Sequence, residues 1–337
     1  MASSTSSRRS VLRHGAERGL ALGALLAAVM LAGCATPRAG SSGVAAEEAV
    51  ELTAVPFFPQ EIHQCGPAAL ATVLSASGVE VTPEELVPRV YIPGRRGSLQ
   101  TELVAAARQH ARLPYELDDS LEAIARELRA GRPVLVMQNL ALPRWPRWHF
   151  AVVVGVTPTH VILRSGTRER LRLRHSTFLR TWTWAGSWAL VLLAPGELPA
   201  EAHPERWLSA NAALEAVGQR RAARVNYEAA AKRWPDEPLV WLGIGNTAYH
   251  EGDRAAAEAA YRRAVALDGS NAVALNNLAH VLGERGCTQE ALEHLERARE
   301  AAPPVLLASI EATARELAAR TPHDASAPGA CSAAAAR

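Results

Sequence analysis

Apolar and polar positions follow two different rhythms in this chain, and the change from one to the other falls near residue 200. Before it, "CGPAALATVLSASG" (65–78) presents apolar residues at helical spacing and stops at Gly78. Further helices are predicted from "TPEELVPRV", with Thr82 as cap and Pro83 behind it, and from "SLQTELVAAARQHA", capped by Ser98. "SLEAIARELRAG" has Ser120 as cap and Gly131 as terminator. The rhythm then shortens. "PVLVMQN" (133–139), "WHFAVVVGV" (148–156), "THVILRSG" and "SWALVLLAPG" are short apolar runs rich in β-branched residues, and they predict strands. "RERLRLR" alternates charge with leucine, a strand with a solvated face, and "VPFFPQ" predicts a short extended segment. A helical half followed by an antiparallel sheet is an α+β domain, with bounds at 50–195.

After a Pro- and Gly-bearing linker at 196–204, alanine-rich segments recur every thirty-four residues. Trp207, Trp241 and Leu275 fall in phase, as do Gly218, Gly252 and Gly286. Ala223, Ala257 and Ala291 follow, then Tyr227, Tyr261 and Leu295, then Ala230, Ala264 and Ala298. Large residues at such positions fill a helix-pair core, alanines permit close crossing, and the glycine turns the chain. The pattern resembles the tetratricopeptide repeat, which implies an all-α array over 205–320 with "VLLASIEATARELAAR" as a final covering helix. Such arrays bind peptides or proteins. Asn211, Asn246, Asn276 and Asn277 either line that groove or are satisfied locally. Residues 321–337 read as a disordered tail in which Cys331 has no chemical role.

Charge changes this picture little. Lys and Arg exceed Asp and Glu by two over the whole chain, so no nucleic-acid-binding field is implied. The N-terminus changes it more. Arg8, Arg9, Arg13 and Arg18 precede the short apolar run "LALGALLAAVMLAGC", an export signal over residues 1–33. Leu31-Ala32-Gly33-Cys34 resembles a bacterial lipobox, which implies cleavage before Cys34 and acylation of its thiol. "SRRSVL" also resembles a twin-arginine signal, leaving the export route open. Residues 34–49 would be a flexible tether. The expected location is the bacterial envelope, lipid-anchored, with the outer membrane facing the periplasm as first choice.

Without Cys34, three cysteines remain in an oxidising compartment: Cys65, Cys287 and Cys331. None has the spacing of a metal knuckle or a CxxC pair, and no metal or cofactor is expected. Cys65 heads the first helix, with Pro67 in its first turn, where a missing amide hydrogen costs nothing. The field at a helix start is expected to lower the thiol pKa. Gly66 would let a substrate approach the backbone. His149 opens a strand much later in the chain, the papain-like order of cysteine then histidine.

"QEIHQCGPAALATVL" together with "HFAVVVG" resembles the C39 family of bacterial cysteine peptidases, over about residues 54 to 194. The resemblance implies Cys65 as nucleophile, His149 as general base and acid, and Gln60 as oxyanion-hole donor beside the Cys65 amide. The five-residue step from Gln60 to Cys65 is one short of that in leader-processing members. Where the family carries Asp-Pro after the histidine strand, this chain has Ser165-Gly166. Ser165 reads first as a turn residue, and either it or Asn139 could orient the imidazole. Trp145 and Trp148, in the loop "LPRWPRW", could wall a peptide channel, whereas Trp182, Trp184 and Trp188 would pack the sheet. The run Arg164 to Arg174 reads as a solvated strand face, with contact to anionic lipid headgroups near the anchor as the alternative. The implied activity is peptide-bond hydrolysis, with repeats that bind a protein substrate or an envelope partner. A catalytically lapsed adaptor and a papain-like acyl transferase are the alternatives.

Overall fold

The computed structural model describes residues 49–60, 64–319 and 331. The export segment, Cys34, nearly all of the expected tether, and the tail apart from Cys331 lie outside the described residues. Seven strands form one antiparallel sheet: β1 (Val50–Glu51), β2 (Leu113–Glu116), β3 (Val134–Asn139), β4 (Trp148–Val156), β5 (His160–Ser165), β6 (Arg168–Arg174) and β7 (Ala189–Leu193). Their order is β2-β7-β3-β4-β5-β6, and β1 pairs with the end of β4. Gly155 allows that pairing, since a Cβ there would lie 2.8 Å from the Val50 carbonyl oxygen.

Helices α1 (Cys65–Ala76), α2 (Pro83–Val90) and α3 (Gln100–Gln109) share one core with the sheet, in which Leu70, Leu74, Leu86 and Leu103 meet Phe150, Val152 and Val154. On β4 the alternate residues Ala151 and Val153 are also fully buried. Burial of both faces is why the strand reads as an unbroken apolar run. Helix α4 (Leu121–Arg129) begins at Ser120, whose hydroxyl accepts from the Ala123 amide. Ser98 is not a cap: α3 starts behind Leu99 with no side-chain bond at its end. Strand β2 and helix α5 (His175–Thr183) have no counterpart in the predicted elements. β2 is only four residues long, and α5 follows β6 with no turn residue between them to signal a change.

Seven helices follow: α6 (Pro204–Ala216), α7 (Arg220–Arg233), α8 (Pro238–His250), α9 (Arg254–Leu267), α10 (Ala272–Glu284), α11 (Thr288–Ala301) and α12 (Pro304–Ala319). Within each of the first three pairs, Gly218, Gly252 and Gly286 turn the chain at φ of 90°, 85° and 80°, where a Cβ would be strained. All but one of the large phased residues are inside: Trp207, Tyr227, Tyr261, Leu275 and Leu295 are buried, as are all six phased alanines, while Trp241 is only half-buried. Leu317 of α12 packs on the last pair, against Gly283.

Two expectations change here, and one open alternative is decided. The segment 196–204 is no loose linker: the Ala200 amide donates to Glu127 at 2.6 Å and the His203 amide to Tyr115 at 3.1 Å. Leu113, Tyr115, Val191 and Leu193 of the sheet form one core with Trp207, Leu208 and Tyr227, because the outer strands leave an apolar face that the first helix pair covers. Cys331 is joined to Cys287 in a disulfide across 44 residues, so it does have a chemical role. Asn211, Asn246 and Asn277 are bonded inside the helices, whereas the buried Oδ1 of Asn276 has no partner. Asn211 donates to the Ala223 carbonyl and accepts from Asn226, while Asn246 accepts from both Tyr261 and Asn277. Asn276 donates to Asn277 at 3.4 Å.

Candidate active site

Cys65 is the first residue of α1, half-buried, and the one free cysteine among the described residues. His149 is the second residue of β4, opposite Gln138 of β3. Both open onto a cavity of about 740 Å³ that Gln60, Trp148 and Gly166 also line. The backbone amide of Phe150, the residue after His149, acts on the Cys65 thiol. The imidazole Nε2 lies 2.8 Å from Ser165 Oγ. With Nε2 engaged, Nδ1 is the ring nitrogen left for the thiol.

Ser165 ends β5 and is buried, so it is more than the turn residue expected. Asn139 is fully buried but serves elsewhere: its Oδ1 accepts from the amides of Ala141 and Arg147 at 3.1 and 3.0 Å, pinning both ends of the loop 140–147. Of the two imidazole partners weighed from the sequence, Ser165 makes the bond. Gln60 is held by its own amide, which donates to the Gly166 carbonyl at 3.1 Å. Arg164 is buried rather than solvated, and its guanidinium donates to the carbonyls of Thr53, Val55 and Glu169. It thereby clamps the segment that leads to Gln60. A lone arginine in an arginine-rich strand gave no signal of this.

Electrostatics reverse one expectation. Burial pushes the Cys65 thiol up, against the amides of Phe150, Gly66 and Cys65, which pull it down. Burial, reinforced by the Arg147 charge, lowers His149 to about 4. The resting pair is therefore a neutral thiol and a neutral imidazole. The helix start supplies amides, but desolvation of the sulfur outweighs them.

Gly66 is needed for packing, not for substrate approach. It is buried, and a Cβ there would lie 2.2 Å from Ser98 Oγ. Trp148 lines the cavity; Trp145 is exposed on the same loop, with Arg144 over its ring, and does not line it. Trp182 and Trp188 pack the sheet as expected, whereas Trp184 is over a third exposed. The sequence reading missed the loop between α2 and α3, which brings Arg95, Arg96, Ser98 and Leu99 to the cavity. Its signal was two adjacent arginines inside a Pro-Gly-bounded turn.

One cluster, Asp118, Glu201 and His203, has the spacing of a metal site. Its carboxylates are engaged by Arg206 and Arg126, which fits an ion-pair network.

Residues 52–185, less than half of the chain, match the model of the Peptidase_C39 like family. Those residues lie in the α+β sheet domain, and helices follow it. Among solved structures the chain is similar to one from Bacillus anthracis described as a C39-like peptidase, at 19% identity over 44% of this chain and 98% of that one, with a TM-score of 0.38. It is also similar to the peptidase domain of Streptococcus ComA, a bifunctional ABC transporter, at 20% identity over 41% and 98%, with a TM-score of 0.35. A double-glycine-motif protease from an AMS/PCAT transporter, solved with a leader peptide, is 21% identical over 41% and 90%, with a TM-score of 0.32. No curated protein matches the chain.

Proposed function

We propose that the chain is a C39-like thiol peptidase with Cys65 as nucleophile and His149 as general base and acid. The observation that carries this reading is the bond from His149 Nε2 to Ser165, which fixes the imidazole in a cavity it shares with the one free thiol among the described residues. The neutral resting pair makes the first step general-base catalysis. The Cys65 proton passes to His149 Nδ1 as the sulfur attacks the peptide carbonyl carbon. The oxyanion formed is met by the Gln60 side chain and the Cys65 amide. The C–N bond then breaks, the leaving nitrogen takes the proton from His149, and a thioester remains on Cys65. Water attacks that thioester, gives its proton to His149, and releases the acid; the proton returns to sulfur.

The helix pairs after residue 204 are proposed as tetratricopeptide-type repeats that position a protein substrate or an envelope partner, and Cys34 as the lipid anchor of an envelope protein. The buried disulfide-forming Cys287 is in keeping with an oxidising compartment.

The test is cleavage of a degenerate peptide library, read by mass spectrometry, with wild type and Cys65→Ala side by side. New peptide termini with wild type only, and a peptidyl mass adduct on Cys65 on rapid acid quench, are the expected result. Identical peptide patterns from the two proteins would sink the reading and leave the adaptor. Transfer of the acyl group to an added amine in preference to water would favour the acyl transferase.

A further inference from the structure

The cavity holds more positive charge than peptide hydrolysis requires. Arg95, Arg96 and Arg147 line it, and no Asp or Glu lines it among the described residues. None of the three guanidiniums, all exposed, has a hydrogen bond or ion pair among the described residues. The loop geometry adds an independent observation. The Ile92 amide donates to the Gly97 carbonyl at 2.8 Å, closing a tight loop with Arg95 and Arg96 at its tip. Arg96 sits there at φ 48°, a left-handed conformation that glycine adopts without strain, although Gly94 and Gly97 are close by. Ser98 Oγ, on the same wall, is a buried polar atom with no partner.

We propose that Arg95, Arg96 and Arg147 are specificity-determining residues that select peptide segments carrying a carboxylate beside the scissile bond, an Asp or Glu side chain or a free C-terminus. This rests on the peptidase reading above. Guanidinium forks match carboxylate geometry, and three of them on one cavity wall with no carboxylate among the described lining residues favour an anionic partner; all three are exposed, so the pairing is salt-sensitive. The same carboxylate would complete the chemistry. His149 has only the neutral Ser165 hydroxyl behind it and feels the Arg147 charge, so its protonated form lacks an anion. A substrate carboxylate seated on Arg147 offsets that charge at the moment the imidazolium forms.

Binding without cleavage tests this in the full chain carrying Cys65→Ala. The probes are fluorescein-labelled degenerate decapeptide pools with two fixed Glu residues, or Gln at the same positions, each with a free or an amidated C-terminus, and a Lys pool. The Glu pool should bind about tenfold tighter than the Gln pool at low salt, with the gap shrinking as salt rises. The gap should close in the Arg95→Gln/Arg96→Gln/Arg147→Gln variant. Arg96→Gly, which relieves the left-handed strain, keeps the loop folded and should lose part of it. A gain confined to free C-termini would assign the pocket to the terminal carboxylate, and one that survives amidation to side chains. Equal binding of all pools, or preference for Lys, overturns the proposal. The same pools are then given to wild type: if it cleaves none of them while the Cys65→Ala chain prefers Glu pools, the peptidase reading alone is defeated, and if it cleaves Glu and Gln pools equally, this proposal alone is defeated.

Discussion

In the helices after residue 204, the buried carboxylate of Glu258 sits between Arg262 and Arg285, and Asn211 and Asn246 each have two partners within the array. The helical region also leaves a few buried polar atoms without partners, Asn276 Oδ1 among them, but around the cleft it is charge that goes unpaired. Arg95, Arg96 and Arg147 have no carboxylate among the described residues, Ser98 Oγ has no partner, and His149 leans on a neutral hydroxyl. The difference separates polar groups that hold the fold from polar groups held ready for something outside it. The three arginines are exposed, so water serves them in the free protein, and what they give the cleft is a positive wall open to an anionic partner.

The largest effect should come from the base. His149→Ala removes the only imidazole lining the cavity among the described residues and should slow peptide cleavage about a hundredfold or more, measured as initial rate on one cleaved peptide. A drop of less than threefold would make the histidine a packing residue and erase the contrast. On the other side of the comparison, Glu258→Gln should destabilise the chain by about 2 kcal/mol, seen as a lower melting temperature. The cost stays below that of a wholly buried pair, because Arg262 and Arg285 retain 20% and 37% exposure and can turn to water. Cleavage per folded molecule should not change.

The pH response sharpens the same contrast. His149 titrates at about 4 when folded, against an ordinary value of 6.5. Between those two values the unfolded chain binds a proton that the folded chain refuses, so this contribution to stability is intact above pH 6.5 and drains as pH falls toward 4. By pH 5 the loss is about 2 kcal/mol. Melting curves at pH 7.5 and 5 should show that wild type loses more than His149→Gln. Equal losses would mean that the imidazole reaches water and that the cleft is not a low-dielectric site.

Much of this was legible before any coordinates. The helix headed by Cys65 and the strand opened by His149 follow from apolar periodicity and turn residues, and β4 was bounded to the residue. The phased Trp, Tyr and Ala positions of the helical region were read because a repeat states its packing three times. What stayed hidden depends on contacts distant in sequence. Arg164 gave no hint that it would fold back on Thr53 and Val55, and the arginines at 95 and 96 meet Arg147 only across the cleft. The thiol pKa was misjudged because a helix start is visible in sequence, whereas desolvation of its sulfur is a property of the packed site. Cys331 was misjudged for the same reason.

The smallest expected effect on rate, and the most telling, lies at Ser165. Ser165→Ala removes the 2.8 Å bond to Nε2 while leaving Cys65, His149 and the cavity in place. The imidazole can then flip or take the wrong tautomer, and cleavage should fall about tenfold. Ser165→Asp puts a carboxylate at the same position. It should raise His149 well above its present value of about 4, because an anion at Nε2 stabilises the imidazolium. The ring proton shifts, followed by NMR against pH, measure that rise directly. Alkylation of Cys65 by iodoacetamide should then become faster and flatter with pH, as the pair moves from neutral thiol and imidazole toward thiolate and imidazolium. Should the titration not move, the hydroxyl is not behind the ring in solution. Should it move while cleavage of acidic peptides gains nothing over that of their Gln counterparts, a built-in anion has replaced the one the substrate otherwise brings, and the unpaired arginines of the cleft then act in binding alone.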